Sequence, residues 1–434
     1  MLSTRDFFDM LDESQWWPAE RMTAWQRSNL SSLLNHARST VPFYRFRLDR
    51  AFRPSGAIDW DRWHEIPILT RAELSGQFQS LLSRAPIGQH GPLSDAGSSG
   101  STGHPVTVRT TRWLNDMAAA CNWRAQRWAG LDWSQKVLAR GNTLHGKTVG
   151  ESCGPWGPPW LPTAARGQQL YSNYSNAYAS DLEIIQQQAV YAYGATSNQL
   201  EIFFDNPELP SLPSLKTVLA RGGAVSDYLR SLIRRVSDAQ VIEVYSSKEG
   251  GALAHPCPHG DGFHAAAEAV LVEIVDAAGR PVAPGRQGRV VITPFGSTAM
   301  PLIRYDQGDE AIAGEPCACG RTLLNIRRIE GRTNAVFTHP DGRRSREMMP
   351  LEARKLLGAG RWQVRQVGPT AFELDYVRHD WGTPPDLDGF AAMFRTVFFD
   401  DSVVAVKEVE DFQLGQTGKY LEYVNLWSPA PSSG

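Results

Sequence analysis

Leu215-Lys216-Thr217-Val218-Leu219-Ala220, followed by Arg221-Gly222-Gly223-Ala224-Val225 and then Gln240-Val241-Ile242-Glu243-Val244, decides the fold class. The first segment is an apolar run of strand length closed by a glycine pair, and the last is a second such run. Between them Ser226 stands where a helix cap is needed, and Leu229, Leu232, Ile233 and Val236 recur on one helical face. Strand, helix and strand in that order make a parallel unit. Its loops fall at strand carboxyl ends, where open α/β sheets bind ligands. The chain is read as α/β.

Upstream, Val137-Leu138-Ala139 is a candidate buried strand, and Trp113 to Trp128 is expected to be helical. Residues 142–178 are rich in glycine, proline and aromatic side chains, the composition of a functional loop rather than a disordered one. Nearer the start, Trp25, Leu30, Leu33, Leu34 and Ala37 keep helical spacing, and a short helical stretch begins at Arg71. Downstream, Val270 to Val275 and Arg289 to Thr293 read as antiparallel strands joined across Gly279 and Pro284-Gly285. After Arg332 the texture changes. A turn at His339 to Gly342, a helix from Pro350 to Leu357 stopped by Gly358, and an alternating strand through Phe372, Leu374 and Tyr376 follow in turn. A helix with Leu387, Phe390, Phe394 and Val397 on one face and a last strand from Ser402 to Val409 complete the set. The expected domains are 1–332, large, and 333–434, small.

Composition narrows the function classes. Of 434 residues, 21% are charged and the formal net charge is −2, which gives no reason to expect nucleic acid or an anionic membrane as partner. No apolar run nears the length of a membrane span, the first residues lack an apolar signal core, and five cysteines are too few for a disulfide framework. Cytoplasm is the expected location. Oligomeric state is not legible, and a dimer is left open.

Several stretches carry residue types suited to chemistry. Ser98-Ser99-Gly100-Ser101-Thr102-Gly103-His104-Pro105 combines hydroxyls with glycines ahead of a strand at Val106 to Thr110, the makings of a phosphate cradle. It is not the GxxxxGK[ST] loop, since the lysine and the helix are missing. Tyr245-Ser246-Ser247-Lys248-Glu249, read as lying just past a strand end, offers an aromatic face for a purine and a carboxylate for Mg²⁺. Arg304 to Asp309 supplies an aspartate able to accept both hydroxyls of a ribose, Gly331-Arg332-Thr333-Asn334 stands at the domain junction, and Lys419 sits on a glycine-flanked loop. Cys257, Cys317 and Cys319 with His264 or His259 suit tetrahedral Zn²⁺, with three buried thiols as the alternative reading.

In this order these stretches resemble the adenylate-forming superfamily of acyl-CoA synthetases, adenylation domains and luciferases, and within it the phenylacetate-CoA ligase-like branch. The resemblance runs over nearly the whole chain, Pro42-Phe43-Tyr44-Arg45 and Ile66-Pro67-Ile68-Leu69-Thr70 included. It implies a large multi-subdomain N-terminal domain of mixed sheets and helices with a small mobile α/β lid. The implied activity is ATP-dependent, AMP-forming activation of an aromatic or small carboxylic acid, followed by thioesterification to CoA. Alternative acceptors are an amine, a hydroxyl or a carrier-protein thiol, and a non-catalytic nucleotide or acyl binder is the other alternative.

The resemblance further implies that Ser98, Ser99, Gly100, Ser101, Thr102, Gly103 and His104 grip ATP phosphates. Gly222, Gly223 and Ala224 would lie along adenine, Tyr245 with Ser246 and Ser247 would face it, and Asp309 with Arg304 would bind the ribose region. Glu249 would hold Mg²⁺, Arg332 would contact ribose or phosphate, Asn334 would be the hinge, and Lys419 would act in adenylation. Some relatives carry cysteines near these positions, which favours structural Zn²⁺ on Cys257, His264, Cys317 and Cys319. Three departures stand out. His104 replaces a lysine, Ala224 replaces a glutamate, and Lys248 stands beside Glu249, where it would pair with that carboxylate or meet the substrate. The acid pocket is expected between residues 142–178 and 193–198, with His145, Tyr171, Asn173 and Lys248 as candidate lining.

Overall fold

The computed structural model describes residues 2–97, 106–141, 147–173, 177–259, 262–332, 336–345, 349–378, 384–410 and 422–427. Thr217–Arg221 and Gln240–Ser247 pair in parallel across the helix Asp227–Val236, and Ser226 Oγ accepts the Leu229 N–H at 3.0 Å as its cap. The first strand begins later than the apolar run, because Leu215 closes a turn onto the Leu212 carbonyl and buries its side chain there. The second strand runs further than expected. From Tyr245 it changes partner, pairing antiparallel with Gly251–Pro256, so Tyr245, Ser246 and Ser247 are strand residues.

That strand joins the two halves of a twelve-stranded sheet. On one side lie the parallel strands Thr217–Arg221, Ala192–Thr196, Val137–Gly141 and Gln168–Asn173, with Ser152–Pro155 at the edge. On the other side lie Gly251–Pro256, Phe263–Ala265, Asn325–Arg332, Tyr305–Ala313, Gln287–Pro294 and Val270–Val275, all antiparallel. Strand alternation sends Leu138, Tyr193, Ala195, Val218 and Ala220 to one face of the parallel half. There they pack on Ile185, Phe203, Phe204, Leu229 and Ile233 from three helices. Val137, Ala192 and Ile242 turn the other way, against Leu131 and Trp156. Trp156 is thus packing, and its Nε1–H donates to the Gln135 carbonyl.

The antiparallel half is covered by the helices Thr4–Ser14, Ala19–Thr40 and Arg112–Trp128. Arg124 and Glu268, both fully buried, pair at 2.6 Å, and Ser14 Oγ donates to the same carboxylate at 2.7 Å. Arg304 makes a second clamp of this kind, which corrects its assignment to the ATP site. Its backbone is left-handed at φ 51°, its side chain is wholly buried, and all three nitrogens are engaged. Nε and Nη2 reach Glu273, Nη1 donates to the carbonyls of His64 and Ile66, and Nη2 donates to that of Gly279. A guanidinium so committed neutralises a buried carboxylate and ties the chain before Ile66 to the sheet. Breaking such a pair costs about 3–5 kcal/mol.

Beyond Val336 a four-stranded sheet is described, in the order Val403–Glu408, Ala371–Arg378, Ala359–Gln366, Tyr423–Asn425. It is backed by the helices Leu351–Leu357 and Leu387–Val397. Its core is aromatic, with Phe337, Trp362, Phe372, Phe390, Phe394, Phe398 and Tyr423 in mutual contact. Gly358 takes the left-handed cap conformation at φ 60° that ends the first helix. No helix among the described residues is long and apolar enough to cross a membrane.

This unit meets the larger one through Arg354, whose Nη2 lies 2.6 Å from Glu201 and 2.5 Å from Glu422. Burial raises the Glu201 carboxyl; Arg354 pulls it back, and Glu422 and Asp205 raise it again, to about 7. In the unfolded chain it titrates near 4.5, so the fold retains a proton that the unfolded chain releases. Stability should therefore fall, by on the order of 1–3 kcal/mol, as pH rises through that window. Urea unfolding of Glu201→Gln should lack this decline, and an identical slope in the variant would assign the titration to another group.

Candidate functional site

The site assembles where the sheet changes from parallel to antiparallel. Tyr245 sits at that change, and its O–H donates to Asp309 Oδ2 at 2.8 Å from the neighbouring half. Asp309 is itself paired in register with Arg332. Four residues past Tyr245, a turn closed by the Gly250 N–H onto Ser247 Oγ carries Glu249, buried to 6% exposure. The Tyr305 O–H reaches Glu249 Oε1 at 3.5 Å, and so does Nη1 of Arg71. The fold thus gathers Tyr245, Glu249, Asp309 and the backbone of Arg332.

Arg71 was not among the expected site residues. It opens the helix Arg71–Gly76, whose Thr70 and Glu73 form a reciprocal capping box. The capping pattern is legible in sequence, whereas the pairing with Glu249 depends on distant chain segments meeting. Lys248 is exposed, and the cation that pairs with Glu249 among the described residues is Arg71.

Gly222, Gly223 and Ala224 form an exposed loop after Arg221, with Gly222 at φ 75° and the Gly223 carbonyl accepting Ser197 Oγ–H at 2.7 Å. Arg221 pairs in register with Val244, which brings this loop alongside Tyr245. Tyr171 is buried in the strand Gln168–Asn173, and Asn173 ends that strand beside Gly141. Ser98, Ser99, Gly100, Ser101, Thr102, Gly103 and His104 lie outside the described residues, as do His145, Asn334 and Lys419. The strands flanking the first group, Leu93–Gly97 and Thr107–Thr111, pair antiparallel with Gly97 opposite Thr107.

The chemistry of the gathered side chains is specific. A shielded carboxylate such as Glu249 is a hard oxygen ligand of the kind Mg²⁺ takes. Asp309, held by the Tyr245 phenol, is a carboxylate, a group that accepts hydroxyl donors, and Tyr245 presents a ring beside a glycine loop.

A second cluster brings together Cys257, His264, Cys317 and Cys319, with one ligand atom from each lying within 4.8 Å of the others. Cys257 Sγ is 3.6 Å from Cys317 Sγ, and His264 Nε2 is 3.2 Å from Cys319 Sγ. His259 is not in the group; its backbone N–H donates to Cys257 Sγ while its side chain is exposed. Burial pushes the Cys257 thiol up to about 11 and holds the His264 imidazole down to about 4, which keeps that ring neutral. Burial also acts to raise Cys319, but N–H groups of Arg321 outweigh it and lower the thiol. Three sulfurs and a neutral imidazole at these separations fit a tetrahedral Zn²⁺. Trp128 packs edge-on against His264, and Arg321 lies between Trp128 and Trp16, so the cluster braces the N-terminal helices.

No protein-family model matches the chain. A phenylacetate-coenzyme A ligase of Thermus thermophilus is 26% identical over 348 residues, 74% of this chain and 72% of that one. Among solved structures, 2-hydroxyisobutyryl-CoA ligase in a postadenylation state superimposes with a TM-score of 0.68 at 18% identity, over 95% of this chain and 92% of the other. The fold is that of the adenylate-forming CoA ligases. An anthranilate CoA ligase bound to anthranoyl-AMP gives a TM-score of 0.54 at 13% identity, over 75% of this chain and 65% of its own. The resemblance to the phenylacetate-CoA ligase-like branch, read from ordered motifs, is borne out, and so is the α/β class.

The Tyr245–Asp309 contact gives a direct test of how the two sheet halves are coupled. A double-mutant cycle of Tyr245→Phe and Asp309→Asn in urea unfolding should show a coupling of about 1.5–3 kcal/mol, the range for a hydrogen bond to a charged acceptor. Additive effects would mean that the two side chains act independently.

Proposed function

We propose that this chain activates a carboxylic acid with ATP to an acyl adenylate, releasing pyrophosphate, and then passes the acyl group to CoA. The observation that carries the reading is the convergence of Tyr245, Asp309 and Glu249 at one sheet junction, on a fold shared with CoA ligases. Asp309 holds the ribose hydroxyls, and Tyr245 with the loop Gly222 to Ala224 flanks adenine. Glu249 would hold Mg²⁺, which when bound neutralises phosphate charge. Arg71, already beside Glu249, supplies a fixed positive charge on the same side.

The acid's carboxylate attacks the α-phosphorus, and negative charge develops on the phosphoryl oxygens. Preorganised cations lower that barrier most where water is excluded. Lys419 is assigned this role from the sequence pattern, as the phosphate grip is assigned to the loop Ser98 to His104. Residues beyond about Arg332 act as a lid that turns about Asn334 between the two half-reactions. Arg332 contacts ribose or phosphate. Structural Zn²⁺ on Cys257, His264, Cys317 and Cys319 completes the reading and holds the N-terminal helices in place.

ATP–pyrophosphate exchange across a panel of acids should reveal carboxylate-dependent turnover, and Lys419→Ala should lower it by at least about 100-fold. Absence of exchange with every acid would overturn the proposal. Elemental analysis should find about one zinc per chain. Cys319→Ser should lose the metal and lower the melting temperature, and a metal-free chain of undiminished stability would remove zinc from the account.

A further inference from the structure

The carboxyl ends of the parallel strands form one row of side chains. Asn173 pairs with Gly141, Thr196 with Arg221, and Arg221 with Val244. The pairing of Ala139 with Gly194 sets Gly141 across from Thr196. Residues in register project from the same face of a sheet. This face is opposite the three helices, whose core takes the alternate residues Ala195 and Ala220. The chain also changes direction here. Val137–Gly141 is followed by the strand on one side, and Ala192–Thr196 by the strand on the other. Such a switch point opens a crevice at the strand ends.

Two members of the row are polar in a way the fold itself does not use. Arg221 is exposed and reaches across the end of Ala192–Thr196 to donate from Nη2 to the Arg140 carbonyl at 2.5 Å. That bond occupies one of the guanidinium's five N–H donors. The carboxylates nearby are committed elsewhere. Asp181, on the helix-covered face, binds Arg140, Ser172 and Tyr193, and Glu243 binds Arg230 and the Val225 N–H. No carboxylate among the described residues forms an ion pair with Arg221. Thr196 is 3% exposed, and its Oγ1 has no hydrogen-bond partner among the described residues. It precedes the helix Ser197–Asp205 without capping it. A buried hydroxyl and a cation without an anion, side by side in a ligand crevice, are complementary to a carboxylate.

We infer that Arg221 and Thr196 form an anion subsite in the acid-binding crevice, and that the acid activated here is a dicarboxylic acid whose second carboxylate they hold. This rests on the adenylation activity proposed above. It makes Arg221 a specificity residue.

The test compares matched pairs, glutaric against pentanoic acid and phenylenediacetic against tolylacetic acid, in pyrophosphate exchange and in calorimetric binding to the intact chain. The unaltered chain should favour the diacid of a pair. Arg221→Gln should reduce the diacid-to-monoacid ratio of kcat/KM by about 100-fold, and Arg221→Lys should retain part of it. Thr196→Val should lower the same ratio less. Lack of diacid preference in the unaltered chain overturns the inference, and so does a ratio that Arg221→Gln leaves unmoved, since a uniform loss would place Arg221 at the reacting carboxylate. If no acid supports exchange, the adenylation reading fails, while diacid binding sensitive to Arg221→Gln still supports the subsite and insensitive binding removes it.

Discussion

Strand Gln240–Ser247 satisfies two hydrogen-bonding patterns at once, and the rest of the molecule depends on how it does so. Its first residues, Gln240 to Val244, pair parallel with one neighbour, and its last, Tyr245 to Ser247, pair antiparallel with another. The change falls at Tyr245, where the register also shifts. Irregular pairing at a junction re-aims side chains. Here it turns Tyr245 toward Asp309 and delivers Glu249 into a turn shielded by Tyr305 and Arg71. The candidate nucleotide site and the seam of the sheet are thus one feature.

Buried charge holds the parts around this seam. Arg124 with Glu268 and Arg304 with Glu273 each join a segment near the start of the chain to the antiparallel half. Such pairs add little net stability over an apolar core, but they cannot be broken cheaply once desolvated. They fix where the N-terminal helices sit, as does the cysteine–histidine cluster with its shell of Trp16, Trp128 and Arg321. Helix Arg71–Gly76 belongs to the same N-terminal layer, which is how a residue early in the chain comes to face Glu249.

Arg304 shows where motif reading goes astray. It stands five residues before Asp309, and the resemblance carries both to the ribose region, yet the left-handed backbone at Arg304 turns its side chain inward to Glu273. Tyr245 is the converse. Its aromatic face was legible from residue type, but its hydrogen bond to Asp309 was not, because strands far apart in sequence become neighbours only when the sheet is ordered.

By itself the sequence determined the alternation of strands and helices, the cap at Ser226 and the stop at Gly358. All of these are local, set by side-chain period, cap chemistry and glycine's conformational freedom. The tertiary structure alone decided that Arg71 pairs with Glu249 and that Arg221 and Thr196 share a face at the strand ends. Each of these depends on register between strands or on contact between distant segments. A one-residue slip in register would send every such side chain to the opposite face.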